Sequence, residues 1–106
     1  MSENPLFPTG QVLCTPSAWQ EIKRNKADIS ALLNRHVSGD WSDMCDGDGE
    51  ENRHAIEKGY FISSSYIIAT HTLDTCALST KIWIITEGDR SSTMILLPEE
   101  YDSLYA

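Results

Sequence analysis

The chain has 106 residues, with 16 acidic and 8 basic side chains, so its formal net charge is −8 when histidine is neutral. This length suits a single domain with its own core, and two ordinary domains would not fit. Because so acidic a surface repels phosphate backbones and anionic lipids, we expect no direct nucleic-acid binding and no membrane binding.

The cysteines and the N-terminal segment bear on the compartment. Three cysteines cannot all pair within one chain, and no CxxC motif is present. Residues 1–8 lack the basic and apolar regions of a secretory signal, and no apolar run is long enough to span a membrane. We therefore expect reduced thiols and a cytoplasmic protein.

The N-terminal residues predict a strand and the start of a helix. Residues 1–10 contain proline and glycine and are expected to be extended or frayed. The apolar run 11–14 predicts a short strand. Thr15 followed by Pro16 is typical of a helix N-cap and first turn.

Two helices are predicted before residue 40. In the first, Trp19 and Ile22 have the i,i+3 spacing of an apolar stripe. Asp28 is a suitable N-cap for the second helix, and Gly39 a suitable end. The second stripe has helical spacing and consists of Ile29, Leu32, Leu33 and His36.

Residues 40–51 hold six acids and no base. We interpret them as a loop that leads into a third helix over about 49–58, whose first turn is favoured by acidic groups. Gly59 ends this helix.

The remaining chain predicts strands at 60–70, 81–86 and 92–97, with an irregular connection at 71–80 and a tight turn at 87–91. Both faces of the last two strands carry apolar residues, so helices should cover one face and another element the other. The predicted fold is a single α+β domain over 1–106, with a short N-terminal strand, three helices and a C-terminal three-stranded antiparallel meander.

Alternating acids suggest a calcium loop. Counted from Asp46, the EF-hand pattern places Asp48, Glu50 and Glu57 at ligand positions 3, 5 and 12. Position 6, which needs glycine for the sharp turn, is Glu51. The alternative is a solvated acidic segment that caps a helix.

Zinc and nucleophilic chemistry have weaker patterns. The potential zinc ligands are scattered rather than paired, and they are His36, His54, His71, Cys45 and Cys76. Serines at 63–65 and 91–92 offer hydroxyls that His36 or His71 would activate, but GxSxG is absent. GxGxxG and GxxxxGK[ST] are also absent, so we expect no cofactor.

Two polar segments form the candidate binding surface. Large aromatic side chains next to polar turns are frequent anchors of interfaces. The candidate residues are His36, Asp40, Trp41, Glu87, Asp89 and Arg90. In the structural alternative, Asp89 shapes its turn, Arg90 pairs with Glu87 or the acidic loop, and Trp41 covers the core.

Four strings of sequence carry a family resemblance. They are HVSGDW at 36–41, KIWIITEGDRSST at 81–93 and ILLPEEY at 95–101, together with PTGQVL at 8–13. With these strings the chain resembles a family of bacterial proteins of roughly 100 residues from plasmids, phages and integrated elements. Some members are labelled as type I restriction enzyme subunits, although this chain has no NPPF or NPPY methyltransferase motif.

The resemblance implies a small mobile-element protein, and our hypothesis is that it acts by binding another protein. A host-defence component such as a restriction or CRISPR complex is the expected partner, and spaced carboxylates suggest mimicry of DNA phosphates. The alternatives are a small metal-dependent or hydrolytic enzyme and a homo-oligomeric structural module, such as a homodimer.

Overall fold

The computed structural model describes residues 5–41, 46–73 and 76–105, with the backbone alone at 46–48, 71–73 and 76–78. The elements in chain order are β1 (Gln11–Cys14), α1 (Pro16–Arg24), α2 (Ile29–Ser38), α3 (Asp46–Lys58), β2 (Ile62–Leu73), β3 (Cys76–Thr86), β4 (Ser92–Leu96), a 3₁₀ turn (Pro98–Glu100) and α4 (Tyr101–Tyr105).

The strands form one mixed sheet in the order β1-β4-β3-β2. β2, β3 and β4 pair antiparallel, whereas β1 pairs parallel with β4. The predicted α+β class is confirmed. The predicted sheet was incomplete, because a parallel edge strand requires a crossover, and the helices after β1 supply it.

Three element boundaries correct the prediction. α3 begins at Asp46 rather than at about 49, because acidic residues are favourable in a first helical turn. β2 and β3 extend into the segment 71–80, which was predicted as irregular. The short helix α4 was not predicted.

The first two helices follow their sequence signals. Thr15 accepts from the backbone N–H of Ala18, and Asp28 accepts from that of Ser30, so both are N-caps. Gly39 ends α2 in the left-handed conformation at φ 80°. The stripe of α1 differs from the prediction, because Ala18 and Ile22 are buried at i,i+4 spacing while Trp19 remains 46% exposed.

The helices cover one face of the sheet. Ala18, Ile22 and Leu32 pack with strand residues of one cluster, and a second cluster surrounds Trp41. The strand residues of the first cluster are Tyr66, Ile82, Ile84 and Ile95. Because side chains alternate along a strand, Trp83 lies on the opposite face.

Part of that opposite face is covered by the C-terminal segment. The ring of Tyr101 meets that of Trp83 edge-on with centroids 5.6 Å apart, and Tyr105 stacks on Tyr101 at 5.1 Å. Ile85 and Leu96 on this face are 1% and 0% exposed. The second shielding element expected from the apolar strands is therefore the segment 98–105.

No helix in the described parts of the chain is long and apolar enough to cross a membrane.

A side chain of α3 occupies part of the outer edge of β2. The amide of Asn52 donates to Ser63 O at 2.7 Å and accepts from Ser63 N at 3.2 Å. Asn52 is 6% exposed, so these bonds are shielded from water. The side chain thus replaces a neighbouring strand at Ser63.

Replacing Asn52 with alanine should lower the free energy of unfolding by about 2 kcal/mol, because both backbone groups of Ser63 lose their partner. Urea unfolding measures the loss. Arg53→Ala, at the exposed next position, is the control and should stay within about 0.5 kcal/mol of the parent. Equal effects of the two substitutions would contradict the role of Asn52.

Candidate functional site

The candidate residue His36 lies in a fully buried hydrogen-bond network. Its Nδ1 is 2.6 Å from Ser64 Oγ, and its Nε2 is 2.8 Å from Thr86 Oγ1. The network continues from Thr86 Oγ1 to Thr93 Oγ1 at 2.7 Å. Trp41 Nε1 donates to Ser64 Oγ at 2.9 Å. Strands β2, β3 and β4 thus each present one hydroxyl to this network.

The network fixes the position of every proton. Thr93 donates to the carbonyl oxygen of Thr9 at 2.7 Å, so Thr86 must donate to Thr93. Thr86 then accepts from Nε2, which makes His36 the Nε2–H tautomer. Since Trp41 can only donate to Ser64, the Ser64 proton is directed at Nδ1. All donors point the same way, and none is left without an acceptor.

Burial also determines the charge of His36. Removal from water lowers its pKa to about 3 from the ordinary 6.5, because desolvation disfavours the imidazolium. The side chain is 0% exposed, and its ring meets that of Phe7 edge-on at 5.0 Å. His36 is therefore neutral at physiological pH.

Stability should fall as the pH is lowered from 6.5 towards 3. In this window the unfolded chain takes up a proton at His36 and the folded chain does not, so unfolding becomes easier by at most about 1.4 kcal/mol per pH unit. Urea unfolding of the parent and of His36→Gln, which cannot titrate, isolates this contribution from that of the carboxylates. The stability difference should shrink from pH 7 to pH 5, and parallel pH curves would refute the assignment.

The contact between Ser64 and His36 has the geometry of a nucleophile and its base. Both side chains are 0% exposed, and the Ser64 oxygen already accepts from Trp41. A substrate carbonyl cannot approach this oxygen. The pair therefore holds the last turn of α2 against the sheet. Its hydroxyl group is not accessible to solvent.

Asp40 and Trp41 also have internal contacts. The carboxylate of Asp40 accepts from Arg35 Nε at 2.8 Å, and its backbone oxygen accepts from Tyr66 Oη at 2.9 Å. Trp41 is 7% exposed and covers Ser64. These contacts match the structural alternative in which Trp41 covers the core.

The turn between β3 and β4 is shaped by Asp89 and held by Arg90. Asp89 Oδ1 accepts from Ser91 N at 3.0 Å, and hydrogen bonding from the Ser91 side chain and then from its backbone lowers the pKa of the Asp89 carboxyl. Arg90 Nη1 donates to the carbonyl oxygens of Tyr60 at 2.7 Å and Glu87 at 3.1 Å.

The other guanidinium nitrogen reaches α3. Arg90 Nη2 donates to Ala55 O at 3.3 Å, and the guanidinium lies 5.6 Å from the Phe7 ring centroid. In these contacts Arg90 binds backbone carbonyls rather than the carboxylate of Glu87. A cation is favourable here, because the last carbonyls of a helix carry partial negative charge. Phe7 lies between Arg90 and His36, so the two candidate segments converge on buried groups.

Arg90 adopts φ 60°, a left-handed conformation that costs a non-glycine residue about 1 kcal/mol. We therefore expect Arg90→Gly to be about 1 kcal/mol more stable than Arg90→Ala, since both lose the three carbonyl contacts and only alanine retains the strain. Urea unfolding of the two variants measures the difference. Equal stabilities would show that the turn stores no strain.

Sequence reasoning assigned Tyr60 and Phe61 to a strand, but they form an exposed corner between α3 and β2. Their exposed fractions are 58% and 53%, among the largest of the apolar side chains described. Gly59, with φ 76°, ends α3 immediately before them. A sequence signal for this corner was available, since two aromatics directly follow a helix-ending glycine. We call Tyr60 and Phe61 the aromatic corner.

The structure places the calcium candidates Asp46, Asp48, Glu50 and Glu57 in one helix, α3. The side chains of Asp46 and Asp48 lie outside the described residues. Among the residues whose side chains are described, no three His, Cys, Asp or Glu groups are close enough to hold a metal ion.

The zinc candidates are distributed differently. Cys45 lies outside the described residues, as do the side chains of His71 and Cys76. His36 is buried among hydroxyl groups, and the ring of His54 lies 6.1 Å from that of Tyr60.

Comparison of the chain with protein-family models, curated proteins and solved structures finds no match. The resemblance to mobile-element proteins therefore stays a prediction.

Proposed function

We propose that this protein acts by binding another protein through the aromatic corner. Tyr60 and Phe61 are adjacent, and more than half of each side chain faces solvent. Large aromatic side chains are the commonest anchors of protein interfaces, because they bury much apolar area with little loss of side-chain entropy. The exposure of this pair is the observation that carries the proposal.

The backbone beneath the aromatic corner is held in place. Arg90 binds the carbonyl of Tyr60, and a Cβ on Gly88 would lie 2.8 Å from Gly59 O, so the β3–β4 turn packs directly against the corner. Arg90 in this turn has a strained backbone with φ 60°. Strained backbone conformations are concentrated at functional sites. A corner already fixed before binding loses less entropy when a partner docks.

Charges around the corner indicate the chemistry of the partner. Glu57 lies three residues before Tyr60, and Glu87 and Asp89 flank the glycine that packs on the corner. These three acids outnumber the two cations of the same segments, Lys58 and Arg90. A partner segment with an apolar side chain beside lysine or arginine would complement this surface. A host-defence component such as a restriction or CRISPR complex, the partner expected from the sequence, would present such a segment in a basic cleft.

Mimicry of DNA by carboxylates has less support than apolar docking. Several described acids serve the fold itself, because Asp28 caps a helix, Asp40 pairs with Arg35, and Asp89 shapes its turn. Glu100 accepts from Thr15 Oγ1. Glu87 and Asp89 of the β3–β4 turn are separated from Glu99 and Glu100 of the 3₁₀ turn by β4, a strand about 16 Å long. The two groups of acids therefore do not form one continuous row.

The test is affinity capture from a bacterial lysate with the parent protein and two variants. The Tyr60→Ser/Phe61→Ser double variant removes the corner, and Trp19→Ser removes a comparably exposed aromatic side chain on α1. We expect specific partners to be captured by the parent and by Trp19→Ser, and to be lost with the double variant. Thermal unfolding confirms that both variants fold.

Capture of the same proteins by all three forms would exclude the aromatic corner. Capture that depends on Trp19 instead would move the interface to α1. If binding is retained at the corner but strengthens with salt, the proposed basic chemistry of the partner is wrong, because attraction between opposite charges weakens as salt is added.

A further inference from the structure

The edge strand β1 has an open outer edge. Gln11 N donates to Ser91 O at 3.0 Å and Thr15 N to Ile95 O at 2.9 Å, so the odd residues of β1 bond to β4. By the alternation of a strand, the backbone N–H and C=O of Val12 and Cys14 point away from the sheet. No strand in the described parts of the chain pairs with this edge.

The opposite edge of the sheet is protected. Asn52 occupies the backbone groups of Ser63 on β2, and a register shift between Ile67 and Ala69 interrupts the strand. Side-chain plugs and bulges of this kind prevent edge-to-edge pairing. The structure thus blocks part of one edge, at Ser63, and leaves the edge of β1 without a neighbouring strand in the described residues.

The sequence around β1 suits an interface between two like-charged molecules. Residues 4–20 contain no Asp, Glu, Lys or Arg, although the molecule carries a net charge of −8. The side chains of Val12 and Leu13 are 42% and 39% exposed. Interface cores are depleted of charge, and two copies of so acidic a protein can approach most closely where neither carries any.

We propose that β1 pairs antiparallel with the β1 of a second copy across a two-fold axis. The outward residues set the register, in which Val12 and the partner's Cys14 exchange both backbone hydrogen bonds, and Cys14 does so with the partner's Val12. Leu13 then lies opposite the partner's Leu13 in a non-hydrogen-bonded pair. Such a contact is isologous, because both copies use the same strand, so the assembly is complete with two copies.

Prolines limit how far this pairing extends. Pro8 precedes β1 and Pro16 follows it, and neither has a backbone N–H to donate. The shared edge is therefore short, which places the contact among small, weak interfaces. We expect a dimer that dissociates on dilution and is populated at concentrations on the order of 0.1 to 1 mM.

Cysteine cross-linking tests the register. In a background whose native cysteines are replaced with alanine, Leu13→Cys should form an intermolecular disulfide readily, because opposed Cα atoms of a non-hydrogen-bonded pair are about 4.5 Å apart. Gln11→Cys on the same exposed strand is the control. In the proposed register it faces the partner's Thr15 and should not cross-link.

Sedimentation velocity of the parent chain tests the edge itself. Val12→Lys places a charge next to the dimer axis and should give a monomer at every concentration, whereas Ile67→Lys on β2, where the exposed fraction is 41%, should leave the dimer intact. A parent that is monomeric throughout, a dimer that survives Val12→Lys, or equal cross-linking at positions 11 and 13 would overturn the proposal. None of these outcomes bears on the proposal for the aromatic corner, because that proposal is tested separately by affinity capture of a partner.

Discussion

His36→Leu should lower the free energy of unfolding by about 3 to 5 kcal/mol, although leucine nearly fills the same volume. The loss arises because Ser64 loses its acceptor and Thr86 loses its donor, while both stay fully buried. Unsatisfied buried polar groups cost about 1 to 3 kcal/mol each. Urea unfolding at pH 7.5, where the parent histidine is neutral, measures the effect.

His36→Gln is the matched variant for this prediction. A glutamine amide offers one acceptor and one donor, so it can accept from Ser64 and donate to Thr86, and we expect about half of the loss seen with leucine. If leucine were tolerated as well as glutamine, packing rather than hydrogen bonding would explain the burial of His36. In that case the assigned Nε2–H tautomer would have no energetic role.

Gly10→Ala should cost about 3 kcal/mol or more, the second large effect that the structure implies. Gly10 has φ 62°, and a Cβ there would lie 2.3 Å from Ser91 O and 2.5 Å from Arg90 O. Both are backbone atoms, so the clash can be relieved only by moving β1 away from the turn that precedes β4. Thermal unfolding measures the loss.

Gly59 is the control for this substitution. Its φ of 76° imposes the same backbone penalty, but a Cβ at this position would meet nothing within 4 Å. Gly59→Ala should therefore cost only about 1 kcal/mol. If the two variants are equally stable, the close approach of Gly10 to the turn has no energetic weight.

Features fixed by neighbouring residues could be predicted from the sequence. The caps of α1 and α2 follow from Thr15 before Pro16 and from Asp28, whose side chains bond to amides two or three residues away. The β3–β4 turn was recognisable for the same reason. The strand β4 was placed almost correctly because its apolar run is bounded by this turn and by Pro98.

Features that depend on distant residues could not be predicted. The sequence placed His36 on an apolar stripe, but its partners Ser64 and Thr86 lie 28 and 50 residues away. Nothing local distinguishes these hydroxyls from other serines and threonines. The acidic start of α3 was assigned to a loop because its glycines favour turns, although its acids suit a helix N-terminus.

Of the candidate binding residues, Trp41 is buried, whereas Tyr60 and Phe61, which were not candidates, are exposed. Trp41 follows a polar turn, as expected of an interface anchor, yet its indole N–H finds an acceptor in the core. Tyr60 and Phe61 were read as the beginning of a strand, because aromatic residues favour strands. The strand instead begins at Ile62, where regular alternation starts.

The parallel pairing of β1 with β4 has a consequence for the order of folding. Residues 11–14 are synthesised well before their partners, residues 92–95. During translation β1 must therefore wait until β4 has left the ribosome. Pairings between such distant residues close slowly, because a long loop must be ordered first. For that period β1 is unpaired on both edges, and its uncharged residues are open to pairing with other chains, a contact that a chaperone would prevent.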